Sequence, residues 1–366
     1  MADSKARYFK PAGEGGDLLC TLCPRGCKIA AGQFGYCRVR GNRAGAGFIP
    51  HYGFITAMAM DPIEKKPLYH YHPGSLIFSL GFTGCNFRCP FCQNWHISQT
   101  AAAPGKRFTP EQLISLVREE GASQIAYTYS EPLVHGEFLL DCMAAAREAG
   151  FANVLVSNGC IREEGAEQIL ALTDAANIDL KCFSEDTYKQ ILGGNLPAVL
   201  NFIKTAFKMG VHLEVTTLII PEFNDSEKET AECAGFLAGL SRDIPWHLSA
   251  YFPAYQWTAP PTEASGLWKI ALQAERVLSF VYIGNISPPG GDRRFTDTRC
   301  PQCGAVLVSR RGYHIDSRGL GIKKRTLPGQ EKTEDFYACG QCGAEAPFFS
   351  GGLKKPSPPP SSRRCP

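Results

Sequence analysis

No stretch of this 366-residue chain approaches 18 consecutive apolar residues, so no membrane-crossing helix is expected. The opening Met1-Ala2-Asp3-Ser4-Lys5-Ala6-Arg7 lacks the apolar core of a secretory signal. Neither sign of charge dominates: 38 Lys and Arg against 35 Asp and Glu give a net charge of +3. That balance excludes an acidic solvating protein and offers no chain-wide polybasic surface for nucleic acid or membrane. No internal repeat is visible beyond an alternation of strand-like and helix-like segments. Together these absences predict a cytoplasmic protein, in a compartment that keeps thiols reduced.

What the chain has in quantity is cysteine, 16 in all. Clustered thiols in a reducing compartment argue for metal rather than disulfides. Eleven fall into three groups: Cys20, Cys23, Cys27 and Cys37; Cys85, Cys89 and Cys92; and Cys300, Cys303, Cys339 and Cys342. Cys142, Cys160, Cys182 and Cys233 stand alone and read as small buried hydrophobes. Cys365 lies in a Pro/Ser-rich tail, 351–366, that is expected to be disordered.

At roughly 150 residues per domain, the length predicts about two domains. The pattern divides further. Residues 1–72 form an N-terminal Cys-rich segment with little helical periodicity. Residues 73–290 alternate apolar strands with amphipathic helices. Strands are predicted over 75–80, 124–129, 152–156, 176–180, 212–220, 245–251 and 280–284. Helices are predicted over 109–120, 133–149, 163–172, 196–209, 226–239 and 262–278. Near-continuous apolar strands with helices between them predict an α/β fold, a parallel sheet covered by helices. Seven such strands suit a partial or full (β/α) TIM-type barrel, and a doubly wound open sheet shares the local pattern. In either, sites sit at the C-terminal ends of the strands. Residues 295–350 form a separate small module.

The sharpest signal follows the first predicted strand: Gly84-Cys85-Asn86-Phe87-Arg88-Cys89-Pro90-Phe91-Cys92, a C-x3-C-x2-C spacing. Three thiolates so close can hold three irons of a [4Fe–4S] cube and leave the fourth iron open to a substrate. Zinc, the alternative, normally takes four tetrahedral ligands, and this loop offers three.

This loop resembles the signature of the radical S-adenosylmethionine (SAM) superfamily. The resemblance implies a cluster held by Cys85, Cys89 and Cys92, whose open iron binds the methionine part of SAM. Reductive cleavage then gives a 5′-deoxyadenosyl radical that abstracts hydrogen. Phe91 is similar to the aromatic that packs near adenine in that superfamily. The second strand ends Tyr127-Thr128-Tyr129-Ser130-Glu131-Pro132, similar to a Gly-Gly-Glu-Pro element that binds the SAM amine, with Tyr129 and Ser130 in place of the glycines. Ser157-Asn158-Gly159 is similar to the superfamily's Thr-Asn-Gly. Asp179-Leu180-Lys181 is similar to the Asp-Leu-Lys of glycyl-radical-enzyme activases. Phe91, Ser130, Glu131, Ser157, Asn158, Asp179 and Lys181 are thus the expected SAM contacts. Ile219-Ile220-Pro221 is expected to wall the adenine.

A closer resemblance, to the AmmeMemoRadiSam-system radical SAM proteins near the pyruvate formate-lyase activating enzymes, runs from about residue 19 to 285. It rests on Leu22-Cys23-Pro24-Arg25-Gly26-Cys27, Gly35-Tyr36-Cys37-Arg38-Val39-Arg40 and Cys92-Gln93-Asn94-Trp95. The longest string is Asp61-Pro62-Ile63-Glu64-Lys65-Lys66-Pro67-Leu68-Tyr69-His70. Where that family's sixth strand ends in Phe-His-Pro, this chain has Tyr251-Phe252-Pro253. Phe252 cannot take over the role of a histidine there. Lys65 and Lys66 read as a solvated surface pair. His70 and His72 read as packing or loop hydrogen-bonding residues rather than metal ligands.

Cys20-x2-Cys23-x3-Cys27-x9-Cys37 suits either a tetrahedral zinc or an auxiliary iron–sulfur cluster, and does not follow the common ferredoxin spacing. Cys300-Pro301-Gln302-Cys303-Gly304 and Cys339-Gly340-Gln341-Cys342-Gly343 are two knuckles with room between them for a small hairpin. They read as a zinc ribbon whose four ligands close a structural site. Its Arg310, Arg311, Arg318, Lys323, Lys324 and Arg325 read as a solvated face before they read as a nucleic-acid surface.

The sequence thus predicts a radical SAM enzyme, an oxidoreductase that acts on an unidentified substrate and needs an electron donor. Kinship with activases favours a protein substrate. A small molecule or RNA is the second reading, and a catalytically idle metal-dependent binding protein the third.

Overall fold

The computed structural model describes residues 6–13, 15–100, 103–287, 289–326, 333–347 and 349. The predicted tail, 351–366, lies outside them.

An eight-stranded sheet organises the chain. Its strands are β1 (Ala57–Pro62), β2 (Leu76–Gly81), β3 (Gln124–Thr128), β4 (Ala152–Ser157), β5 (Ala175–Asp179), β6 (His212–Ile219), β7 (Trp246–Ala250) and β8 (Val281–Gly284). They lie side by side in chain order, from β1 at one edge to β8 at the other. Strands β2 to β8 run parallel, and β1 pairs antiparallel with β2. The two edges are not hydrogen-bonded to each other among the described residues, so the sheet is open, with the sequential order of a partial barrel.

Six helices connect the strands: α1 (Pro110–Glu119), α2 (Gly136–Glu148), α3 (Glu163–Leu170), α4 (Leu196–Lys208), α5 (Glu227–Leu240) and α6 (Ala264–Ala274). Their starts follow local chemistry. Thr109 caps α1 in a reciprocal capping box with Gln112, and Pro110 takes the first position, where its missing N–H costs nothing. Asn195 and Ser226 cap α4 and α5 through their side-chain oxygens. Leu113, Ile114 and Val117 turn one face of α1 into the core. All five residues of β3 are buried, as expected of a strand covered on both faces.

The N-terminal segment adds short antiparallel strands, Phe9–Pro11, Leu18–Cys20 and Lys28–Ile29, and a hairpin of Gly41–Arg43 with Ala46–Phe48. Tyr8 and Leu22 join the main apolar core. Arg40, 1 % exposed, forms a two-pronged ion pair with Glu137 of α2 at 2.6 and 2.8 Å. A charge pair this deep survives because both prongs are hydrogen-bonded.

The C-terminal segment forms two hairpins, β9 (Val306–Arg311) with β10 (His314–Asp316) and β11 (Leu320–Thr326) with β12 (Thr333–Cys339). Arg310 docks the first hairpin on the barrel. It is 5 % exposed, donates to the Tyr69 carbonyl at 2.7 Å and to Thr298 Oγ1 at 2.8 Å, and lies over the Tyr69 ring. The expected solvated basic face therefore loses Arg310, whose partner lies 241 residues away in sequence.

Candidate active site

The loop after β2 carries Cys85, Cys89 and Cys92. Gly84 opens it at φ +77°, and a Cβ there would lie 2.5 Å from the Cys37 carbonyl oxygen. Only glycine meets both the conformation and the contact. Cys85 and Cys89 are buried and Cys92 is partly buried. The Phe87 N–H donates to Cys85 Sγ at 3.3 Å, and Ser98 Oγ lies 3.2 Å from Cys92 Sγ. Burial pushes the Cys89 thiol up to about 12, against the pull of Lys181. Burial, reinforced by nearby Glu131, pushes the Cys85 thiol well above its ordinary value. Iron would therefore displace protons from these groups as it binds.

The strand ends converge on this loop. Glu131, after β3, is 1 % exposed. Its Oε1 accepts from the Leu133 N–H at 3.0 Å and from Ser157 Oγ at 2.7 Å, and its Oε2 accepts from the Asn158 N–H at 2.9 Å. Burial raises this carboxyl to about 7 despite those bonds. Asn158 Nδ2 donates to Asn86 Oδ1 at 2.9 Å and stands 3.8 Å from Cys85 Sγ. Ser130 Oγ donates to the Phe82 carbonyl at 2.8 Å. Lys181 Nζ pairs with Asp179 at 2.8 Å. The charges of Cys89 and Cys92 also act on Lys181. Phe91 is 3 % exposed and packs edge-on against Phe223 and Trp257, the former two residues beyond the Ile219-Ile220-Pro221 segment. All seven expected SAM-contact residues therefore lie within the cysteine loop, at the last residue of a strand or just after one. Glu131, Ser157 and Asn158 are joined directly.

Two residues of this region escaped sequence reasoning in their roles. Lys66 is 2 % exposed, not solvated. Its Nζ donates to Asp61 Oδ2 at 2.8 Å and lies over the Tyr129 ring. The Tyr129 hydroxyl donates to the same Asp61 oxygen at 2.5 Å. Tyr129 holds φ +72°, the left-handed region that glycine enters without strain. Lys65 does stay at the surface, 44 % exposed at its side chain, with a looser contact to Asp61. The signal available in sequence was the string 61–70 itself, whose partner was invisible there. His70 is fully buried, and its Nε2 lies 2.6 Å from the Tyr282 hydroxyl, as expected of a packing histidine. Phe252 is 44 % exposed. Tyr255 stacks on Trp95 at 5.3 Å with an interplanar angle of 11°.

The four C-terminal thiols lie within 4.8 Å of one another, the one such group among the described residues. Cys300 and Cys342 are 3.8 Å apart, Cys303 and Cys339 3.7 Å. A tetrahedron with zinc–sulfur arms of ~2.3 Å has edges of ~3.8 Å. Gly304 and Gly343, both at positive φ, donate to the carbonyls of Cys300 and Cys339 and close two matching turns. Cys85, Cys89 and Cys92 are not gathered within that 4.8 Å limit. Cys142, Cys160, Cys182 and Cys233 are all buried, as expected.

Residues 80–234 match the family model described as the radical SAM superfamily. The chain is 40 % identical over 313 residues to the uncharacterized protein MJ0808 of Methanocaldococcus jannaschii, covering 84 % of this chain and 92 % of that one. The chain belongs to the radical SAM superfamily. Within it, the chain is 27 % identical to the pyruvate formate-lyase-activating enzyme of Clostridium pasteurianum over 168 residues, which is 43 % of this chain and 68 % of that enzyme. Among solved structures, a domain of the pyruvate-formate lyase-activating enzyme from Bacteroides vulgatus aligns with 44 % of this chain and 98 % of its own, at 21 % identity and a TM-score of 0.37. The superfamily implies a [4Fe–4S] cluster and SAM. No described helix is long and apolar enough to cross a membrane.

Proposed function

We propose that this chain is an activase-like radical SAM enzyme of the AmmeMemoRadiSam branch, which abstracts hydrogen from a protein substrate. The observation that carries the reading is the direct linkage of Cys85, Asn158, Ser157 and Glu131 at the ends of β2, β3 and β4. The residues fit the implied group: three thiols on one loop, two of them buried, with hydrogen-bonding groups at Cys85 and Cys92. Cys85, Cys89 and Cys92 would hold the cluster. When bound, the cluster and SAM supply a one-electron cleavage that ends in hydrogen abstraction.

The chain's own residues position and shield. Glu131, with its carboxyl near neutrality, orients Ser157 and Asn158 and presents an acceptor for an ammonium group. Lys181, held by Asp179, sets positive charge beside the thiolates and is suited to a carboxylate. Phe91, Phe223 and Trp257 form a dry aromatic wall suited to adenine. Burial of this shell keeps water from a reactive intermediate. The exposed Trp95–Tyr255 stack, whose Trp95 lies three residues beyond Cys92 in sequence, supports a macromolecular substrate, since exposed aromatics beside a site mark contact surfaces. The C-terminal thiols are proposed to hold a structural zinc, and the basic residues around them serve as a solvated face.

The test is anaerobic reconstitution with iron and sulfide, reduction with dithionite, addition of SAM and quantification of 5′-deoxyadenosine. Product that disappears in Cys89→Ala supports the reading. No product from fully loaded protein counts against it and favours the idle binding protein. Deuterium passing from a labelled protein into 5′-deoxyadenosine supports the protein substrate. Deuterium arriving only from a small molecule or RNA overturns that part.

A further inference from the structure

The N-terminal cysteines are not used by the chemistry above. Cys20 ends the strand Leu18–Cys20, and Cys23, Cys27 and Cys37 lie in the loops that follow, yet all four line one pocket. Arg40 and Asn86 line it as well. We propose that this site holds a second iron–sulfur cluster, ligated by Cys20, Cys23, Cys27 and Cys37.

Three observations carry the assignment. The first is spacing. The C-terminal thiols gather within 4.8 Å of one another, the arrangement one tetrahedral ion requires, and the N-terminal four do not. Four thiols that line one pocket without that close gathering suit a cube, in which each sulfur takes its own iron. The second is an orphaned donor. Arg40 is 1 % exposed, and its two Nη atoms are tied to Glu137. Its Nε is buried with no hydrogen-bond partner among the described residues. A buried N–H left unpaired costs about 1–3 kcal/mol, and a cluster sulfur in the same pocket is an acceptor for it. The third is hydrogen bonding to sulfur. The Tyr36 N–H donates to Cys27 Sγ at 3.4 Å. Such bonds and a neighbouring guanidinium stabilise a cluster whose thiolates give it net negative charge.

The second cluster would lie against the first. Gly84, which opens the catalytic loop, packs on the Cys37 carbonyl, and Asn86 lines the pocket while its Oδ1 stands 3.9 Å from Cys85 Sγ. The proposal does not depend on the catalytic reading, and its test is built to separate the two. The full-length chain carrying Cys85→Ala, Cys89→Ala and Cys92→Ala is reconstituted anaerobically. Iron, sulfide and zinc are then counted, and Mössbauer and EPR spectra recorded. The expected result is about four irons and about four sulfides per chain, with a cubane spectrum. Adding Cys23→Ser and Cys37→Ser to that background removes them while far-UV circular dichroism is unchanged. In the otherwise wild-type chain, the same two serines halve the bound iron. The proposal is overturned if the triple variant folds and binds no iron, or if it carries two zinc ions per chain. It is also overturned if the two serines leave the iron count of the wild-type chain unaltered.

Discussion

The Tyr129 hydroxyl donates to Asp61 across 68 residues of sequence while its own backbone sits at φ +72°. A tyrosine held in left-handed backbone conformation costs free energy, and it persists only where its surroundings over-determine it. Here Asp61 and Lys66 do so, one through a hydrogen bond and the other against the ring face. Ser130 and Glu131 follow immediately, so the clamp sets the path of the chain into the proposed SAM site. Tyr129→Phe removes a hydrogen bond to a charged group. It should cost about 1.5–3 kcal/mol, read as a lower midpoint of thermal unfolding, and should weaken SAM binding in equilibrium dialysis. Unchanged SAM affinity would show that the clamp is structural only.

Lys65 and Lys66 are neighbours with opposite fates. Lys66→Ala leaves a buried carboxylate with one cation fewer and should destabilise by about 2–4 kcal/mol. Lys65→Ala touches an exposed pair and should stay within about 0.5 kcal/mol of wild type. Equal effects of the two substitutions on the unfolding midpoint would contradict the observed burial.

The molecule should lose stability in acid. Burial lowers His70 to about 3 and His135 to about 4. Burial alone would raise Glu214, but hydrogen bonds from His212 and His247 outweigh it and hold the carboxylate well below its usual range. Unfolded histidines take up protons near pH ~6.5, and the native chain refuses them until much lower pH. Their stabilising effect is therefore full above pH ~6.5 and declines as pH falls through 6 and 5. Glu214 adds a further loss below pH ~4.3. Glu131, raised to about 7, works the other way between pH ~4.3 and 7, because the native state holds its proton. Two histidines outweigh one carboxyl, so the unfolding midpoint should fall between pH 7 and 5. His135→Gln, which keeps a donor toward the Thr83 carbonyl, should flatten that slope. A slope unaltered by the substitution would rule out His135 as a contributor.

Arg310 fastens the C-terminal hairpins to the barrel through Tyr69 and Thr298. Arg310→Ala leaves those acceptors short of a buried donor, and limited proteolysis in the connection near residues 286–294 should quicken several-fold. Removal of the proposed zinc by a chelator should expose the same connection and unfold the four-thiol turns, because so small a module would depend on its metal. Cleavage rates that ignore both treatments would refute the docking role.

Much of this was legible in the sequence because its signals are local. Apolar runs between caps such as Thr109 and stops such as Gly150 marked strands and helices to within a few residues. The C-x3-C-x2-C loop and the strand-end motifs marked the residues of the candidate site. What stayed hidden depends on long-range pairing. Nothing in a Lys65-Lys66 doublet says which lysine is buried, since the answer is a tyrosine far down the chain. Arg310 looked like its basic neighbours until Tyr69 was beside it. The choice between a full and a partial barrel rests on whether the edge strands β1 and β8 meet, which no local pattern encodes.

The measurement that tests the central claim most directly is EPR of the anaerobically reduced full-length chain, with and without SAM. A signal of a reduced [4Fe–4S] cluster whose g values shift on SAM addition is predicted. The shift should be lost in Cys89→Ala with the cluster, and lost in Glu131→Gln with the cluster intact. A cluster signal that SAM leaves unchanged in the wild-type chain would contradict an open iron at Cys85, Cys89 and Cys92.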